Sequence, residues 1–166
     1  EILAHLVFDD NRQLDLPSGV SPILSDSLRS VKIIDPAVGQ GVFLCAAFDE
    51  ILRLLCILDS KCDLTVCGTE IVRHCLYGVD IDEEAIHRCR AMLMEKALQC
   101  SEPVKSSEWN SDLAANIVLG DSLFDLGEDY SGKFDIVICN PPYVRREILP
   151  KEYKERLRRR FPWFDA

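Results

Sequence analysis

The chain alternates short, continuously apolar runs with longer stretches whose apolar residues recur at helical spacing. Val31-Lys32-Ile33-Ile34-Asp35 is a β-branched run stopped by Pro36, followed by Gly39, Gly41 and an apolar-periodic stretch from Val42 to about Leu58. This pattern predicts a strand, a glycine turn and a helix. Leu76 to Asp80 predicts a second strand and Asp82 to about Gln99 a second helix, with Asp82, Glu83 and Glu84 in the first turn, where the helix dipole favours negative charge. Asn116 to Leu119 predicts a third strand, and Phe134 to Cys139 a fourth that ends at Pro141-Pro142. Asp59 to Cys75 is longer than a simple crossover requires, and Cys100 to Leu113 reads as a polar loop. Near the end, Leu149, Tyr153, Leu157 and Phe161 recur every fourth residue, a helical apolar stripe with Lys151, Lys154, Arg158 and Arg159 elsewhere around the turn.

Continuously apolar strands alternating with helices predict an α/β domain with a doubly wound, mostly parallel sheet covered on both faces. Residues 1–30 are expected as a helical lead-in, 31–143 as the core and 144–166 as a basic helical extension. Ligands of such sheets lie at the carboxyl ends of the strands. The residues that do not serve packing, namely Asp35 to Gly41, Asp80, Asp121 and Asn140 to Tyr143, fall at those ends.

Composition narrows the class. With 166 residues and 48% hydrophobic content, the chain suits a single core. No apolar run approaches the roughly 18 residues of a membrane span, and no basic-plus-apolar leader opens the chain, so a soluble cytoplasmic protein without a membrane partner is expected. Of the eight cysteines, Cys45, Cys56, Cys89 and Cys139 lie in apolar segments, where free cysteine acts as a small hydrophobe, and Cys139 is expected to be a buried strand residue. Cys62, Cys67, His74 and Cys75 match no common zinc spacing, and no metal is expected. The net charge of -9 hides an asymmetry: Val144 to Ala166 carries eight basic and four acidic residues, a local +4 against -13 for the rest. If nucleic acid is met, the C-terminal end meets it.

Several motifs carry chemistry. Asp35-Pro36-Ala37-Val38-Gly39-Gln40-Gly41 places glycines where the backbone must turn sharply beside a helix N-terminus, which suits a ligand or merely a tight turn. Asp80, at the end of the next strand, is where an acidic side chain accepts ribose hydroxyls in this architecture; its distance from Gly41 is about twice the usual spacing of roughly 20 residues, which the segment from Asp59 to Cys75 accounts for. Asp121 suits either an adenine amino group or a helix N-cap. Asn140-Pro141-Pro142-Tyr143 follows a strand with two prolines, which lack N–H donors and leave acceptor carbonyls. An Asn side-chain oxygen and a proline carbonyl accepting both hydrogens of a conjugated amine would draw it toward a tetrahedral, nucleophilic form, and Tyr143 could stack on the ring. The bland alternative is a rigid loop after a buried strand.

The series DPAVGQGVF, YGVDID, GDSLFD and CNPPYV, over roughly Val31 to Val144, resembles motifs I to IV of the gamma-class adenine-N6 DNA methyltransferases. The continuation NPPYVRREILPKEYKERLRRRF most resembles the methyltransferase region of type IIG restriction-modification enzymes and their phage-defence relatives. The resemblance implies a Rossmann-like fold and S-adenosyl-L-methionine as cofactor. It implies that Asp35, Pro36, Ala37, Gly39, Gly41 and Phe43 surround the methionine part of that cofactor, that Asp80 and Ile81 hold the ribose, and that Asp121 and Ser122 flank the adenine. Asn140 to Tyr143 would be catalytic, with Asn140 also facing the cofactor, and double-stranded DNA the substrate, its target base flipped out.

Val38 and Gln40 depart from the residues usual in motif I, where backbone does the work. The family's upstream motif, its remaining strands and its target-recognition domain are not found in these residues, so the chain alone is expected to be inactive, and the resemblance allows for a nuclease fused or associated in the whole protein. Protein-glutamine N5 methyltransferases share Asn-Pro-Pro-Tyr but lack Pro36 and the insertion to Cys75. A non-catalytic cofactor-binding scaffold would have no need of an acceptor-only loop beside a ribose site.

Overall fold

A computed structural model of the chain describes residues 20–59, 61–100, 107–127 and 130–165; the part of the expected lead-in before Val20 lies outside them. The elements run α1 (Val20–Ser30), β1 (Ile33–Asp35), α2 (Val42–Leu58), α3 (Leu64–Glu70), a π-helical turn (Ile71–Cys75), β2 (Leu76–Asp80), α4 (Glu83–Gln99), α5 (Ser107–Asn116), β3 (Ile117–Leu119), β4 (Ile136–Val137) and α6 (Lys151–Arg160). Short 3-10 turns, Arg146–Ile148 and Pro162–Asp165, flank α6.

The four strands form one parallel sheet in the order β3-β2-β1-β4, with helices in the β1–β2 and β2–β3 connections, a doubly wound α/β arrangement. In register, Asp35 lies opposite Gly78 and Asp80 opposite Leu119. Ile33, Leu76 and Ile117 therefore share one face of the sheet, and they join the apolar core formed with α1, α2, α3 and α4. The helices build that core as their spacing dictates. From α2 come Leu44, Cys45, Phe48, Ile51 and Leu55, and from α4 Ala85, Ile86, Cys89, Leu93 and Ala97, each set tracing one helical stripe. A Lys96–Asp49 ion pair at 2.6 Å joins the two helices at the surface.

Four expectations need correction. The segment read as a polar loop contains α5, a helix held by tertiary contacts that a weak pattern does not announce: Leu113 is buried, Arg73 pairs with Asp112 at 2.6 Å, and Asn116 Nδ2 donates to the Val72 and Arg73 carbonyls. Asn116 is thus the end of a helix and not the start of β3. Among the described residues the fourth strand pairs only with β1 and is two residues long; both are exposed, Val137 by 63%. Cys139, expected to be a buried strand residue, lies just past this edge strand and is exposed as well.

The crossover between α2 and β2 is helical through α3 and the π turn. Asp63 caps it, accepting from the backbone of Thr65 and Val66. Its Cys67 and Cys75 are buried thiols, and burial pushes Cys75 up to about 12. Cys89 in α4 is held at about 12 for the same reason, so these sulfurs serve as core side chains. His74 is exposed while Cys67 and Cys75 face the core, so the cysteine-histidine group does not converge. Among the described residues no cluster of His, Cys, Asp or Glu could hold a metal, and no helix is long and apolar enough to cross a membrane.

Candidate active site at the carboxyl edge of the sheet

Because all four strands run the same way, the loops after β1, β2, β3 and β4 emerge at one edge. The loop after β1 is shaped by its glycines. Gly39 (φ 52°) and Gly41 (φ 86°) occupy the left-handed region that other residues rarely adopt. Gly41 also lies so close to α4 that a Cβ would come within 2.6 Å of Cys89 Sγ, and a Cβ on Gly78 would meet Val38 at 2.8 Å. The loop is consequently pressed between β2 and α4. Val38 N donates to the Val79 carbonyl at 2.9 Å, and the Gly41 carbonyl receives Cys45 N as α2 begins.

Two carboxylates brace this loop. Asp35 is 1% exposed; its Oδ1 accepts from Ala37 N at 3.0 Å, and among the described residues its buried Oδ2 has no hydrogen-bond partner. Burial raises its carboxyl above the usual carboxylate range, the Asp80 charge adds to that, and the Ala37 N–H opposes it. Asp80 spans two loops. Its Oδ2 accepts from Gly39 N at 2.8 Å and its Oδ1 from Asp82 N at 3.0 Å, while Asp82 caps α4 through Glu84 N. The first glycine of the turn is therefore tied directly to the carboxylate at the end of the neighbouring strand. Pro36 and Ala37 are half-buried, whereas Phe43 and Ile81 are exposed beside the loop.

On the other side of β2, Gly120 N extends the ladder to the Asp80 carbonyl at 2.8 Å, which sets Asp121 next to it. The two oxygens of Asp121 have different partners. Oδ1 accepts from Leu123 N at 3.0 Å, a local bond at the start of the turn containing Ser122, while Oδ2 accepts from the Tyr153 hydroxyl of α6 at 2.9 Å. The spacing of the apolar stripe did not foretell this contact. Phe124 lies edge-on to Tyr153 with ring centroids 5.3 Å apart, and the Arg156 guanidinium sits 4.0 Å above the Phe124 ring. Burial, then the bond to Asp121, pushes the Tyr153 hydroxyl up to about 12, so it remains a donor.

Asn140, Pro141, Pro142 and Tyr143 complete the edge beyond β4, all exposed, with Tyr143 at 96%. Val144 N donates to the Pro142 carbonyl at 3.0 Å, which occupies one of the two acceptor carbonyls. The depressions lined by Ser27, Leu28, Ser30, Val31 and Asp135, and by Ser21, Arg29 and Asp59, belong to other surfaces.

The fold and this edge define a doubly wound α/β domain that carries a glycine loop and carboxylates at the carboxyl ends of its strands. Comparison with known sequences places it further. The chain belongs to the Eco57I restriction-modification methylase family, whose profile matches residues 74–164. It is 30% identical over 153 residues to the type II methyltransferase M.BstVI of Geobacillus stearothermophilus, covering 89% of this chain and 26% of that protein. It is 28% identical over 172 residues to the type II restriction enzyme and methyltransferase RM.Eco57I of Escherichia coli, covering 81% of this chain and 17% of that protein. With the type II methyltransferase M.XhoI of Xanthomonas vasicola it shares 25% over 134 residues, 81% of this chain and 23% of the relative. The chain thus spans about a quarter or less of these relatives.

Proposed function

We propose that the protein transfers a methyl group from S-adenosylmethionine to the exocyclic N6 amine of adenine in DNA, within a restriction-modification or phage-defence system. One observation carries the reading: the parallel sheet brings a glycine loop with Asp35, the Asp80 carboxylate, Asp121 and the Asn140-Pro-Pro-Tyr143 loop to a single edge.

The residues fit the cofactor. Asp35 Oδ2 is a buried acceptor with no donor among the described residues, the counterpart a cationic amino group needs, and the cramped turn with Gly39 and Gly41 lets backbone approach closely. Pro36, Ala37 and Phe43 line that end, Asp80 and Ile81 would hold the ribose, and Asp121 and Ser122 the adenine. The bound cofactor would supply an electrophilic methyl group on a sulfonium. The chain's own work is done on the acceptor. Asn140 and the Pro141 carbonyl accept the two hydrogens of the target amine, localise its lone pair and stabilise the positive charge that develops on nitrogen. Tyr143 stacks on a base turned out of the duplex, which its exposure permits.

The basic C-terminal segment, with Lys151 and Arg159 exposed on α6, meets DNA phosphates. The relatives' names, type II methyltransferase and type II restriction enzyme and methyltransferase, support methyl transfer within a restriction-modification system.

The test is methyl transfer from radiolabelled S-adenosylmethionine to unmethylated DNA by the full-length protein, with the product digested to nucleosides. Label in N6-methyladenine is expected, and Asn140→Ala should lower the rate by about 100-fold or more, the loss typical of removing a group that stabilises transition-state charge. Cofactor binding that persists while label enters protein or RNA instead would overturn the DNA assignment.

A further inference from the structure

Helix α6 lies outside the nucleotide-binding sheet, yet it grips the turn after β3 at three points. The Tyr153 hydroxyl donates to Asp121 Oδ2, the Tyr153 ring abuts Phe124, and Arg156 covers the Phe124 ring. Leu157, one turn further on, is buried and anchors the helix. The turn itself is braced: Asp125 Oδ2 accepts from Asp121 N at 2.8 Å, and the Asp121 carbonyl receives Phe124 N and Asp125 N. Asp121 therefore has its backbone and Oδ1 held locally, and among the described residues Tyr153 supplies the one contact from another element that holds the carboxylate in that orientation through Oδ2. A carboxylate oxygen accepts more than one hydrogen bond, so the contact with Tyr153 leaves Oδ2 able to receive a second donor.

We propose that Tyr153 is a positioning residue that aims the Asp121 carboxylate at the adenine amino group of the cofactor, so that the helix that follows the acceptor loop in the chain sets how well the cofactor's base is read. The proposal rests on the assignment of Asp121 to the cofactor adenine. Its consequence is specific. Removing the Tyr153 hydroxyl should weaken ligands that carry the 6-amino group and leave unaffected those that lack it. A loosened turn would weaken both.

The experiment measures calorimetric binding of S-adenosylhomocysteine and of its deaminated analogue S-inosylhomocysteine to the full-length protein, to Tyr153→Phe and to Asp121→Asn. Tyr153→Phe keeps the ring contact with Phe124, and its melting temperature shows that the fold is retained. Wild type should prefer the amino ligand. Tyr153→Phe should weaken that ligand by roughly five- to tenfold, in keeping with one hydrogen bond, while the inosyl ligand is unchanged and the preference collapses. Equal weakening of both ligands, or no change in either while Asp121→Asn abolishes the preference, overturns the role of Tyr153 alone. A wild type indifferent to the amino group overturns the assignment of Asp121, and the proposal with it.

Discussion

The two halves of the carboxyl edge are built differently. Around β1 and β2, every turn is tied down: Ala37 N to Asp35, Gly39 N to Asp80, Val38 N to Val79, and Gly41 wedged against Cys89. Beyond β4, Asn140 to Tyr143 are exposed on a loop that follows a two-residue edge strand. The contrast matches what each half is proposed to receive. A small cofactor gains from a preorganised cradle, whose cost is met during folding, whereas a base delivered by a large substrate needs an open approach. Helix α6, which follows the open loop in the chain, reaches Asp121 through Tyr153.

The comparison can be broken most severely at Gly41. Alanine there meets both a left-handed φ of 86° and a Cβ 2.6 Å from Cys89 Sγ, so Gly41→Ala should cost about 3 kcal/mol or more by denaturant titration and abolish cofactor binding. A stable, cofactor-competent Gly41→Ala protein would show that the cradle is slack. Tyr143→Ala probes the open half. With Tyr143 96% exposed, stability should change by less than about 0.5 kcal/mol, while loss of one base-stacking contact lowers kcat/KM for DNA by roughly 5- to 100-fold. A melting temperature that falls along with activity would mean that the loop is part of the packed structure after all.

The smallest effect sharpens the buried half. The Asp35 carboxyl is raised in the folded chain above its unfolded value, so the fold prefers it protonated. Wild-type stability from this group is fully present below the unfolded carboxyl range and is lost as pH rises through the raised folded value. Asp35→Asn keeps an oxygen for Ala37 N without the charge, and it should raise the melting temperature by a few degrees near pH 8, a gain that vanishes as pH falls into the carboxylate range. A gain that does not depend on pH would assign the effect to packing.

Much of this protein was determined locally by its sequence. Val42–Leu58 and Glu83–Gln99 carry enough turns for the 3.6-residue period to be read directly, and Leu76–Asp80 is a continuous apolar run between polar signals. Parallel topology followed from the alternation of strands and helices, and it forced Asp35, Asp80, Asp121 and Asn140 to one edge. Other features depended on partners distant in the chain. Helix α5 is held by Val72, Arg73 and the core and not by its own pattern. Cys139 is apolar in context but exposed, since burial of an edge strand depends on what lies beside it. The orphaned Asp35 oxygen, the bond from Gly39 to Asp80 and the reach of Tyr153 to Asp121 join residues 41 and 32 positions apart in the latter two cases. Periodicity reports which face of an element is apolar; only tertiary packing decides which side chains from separate elements meet, because that depends on how the helices and strands are set against one another.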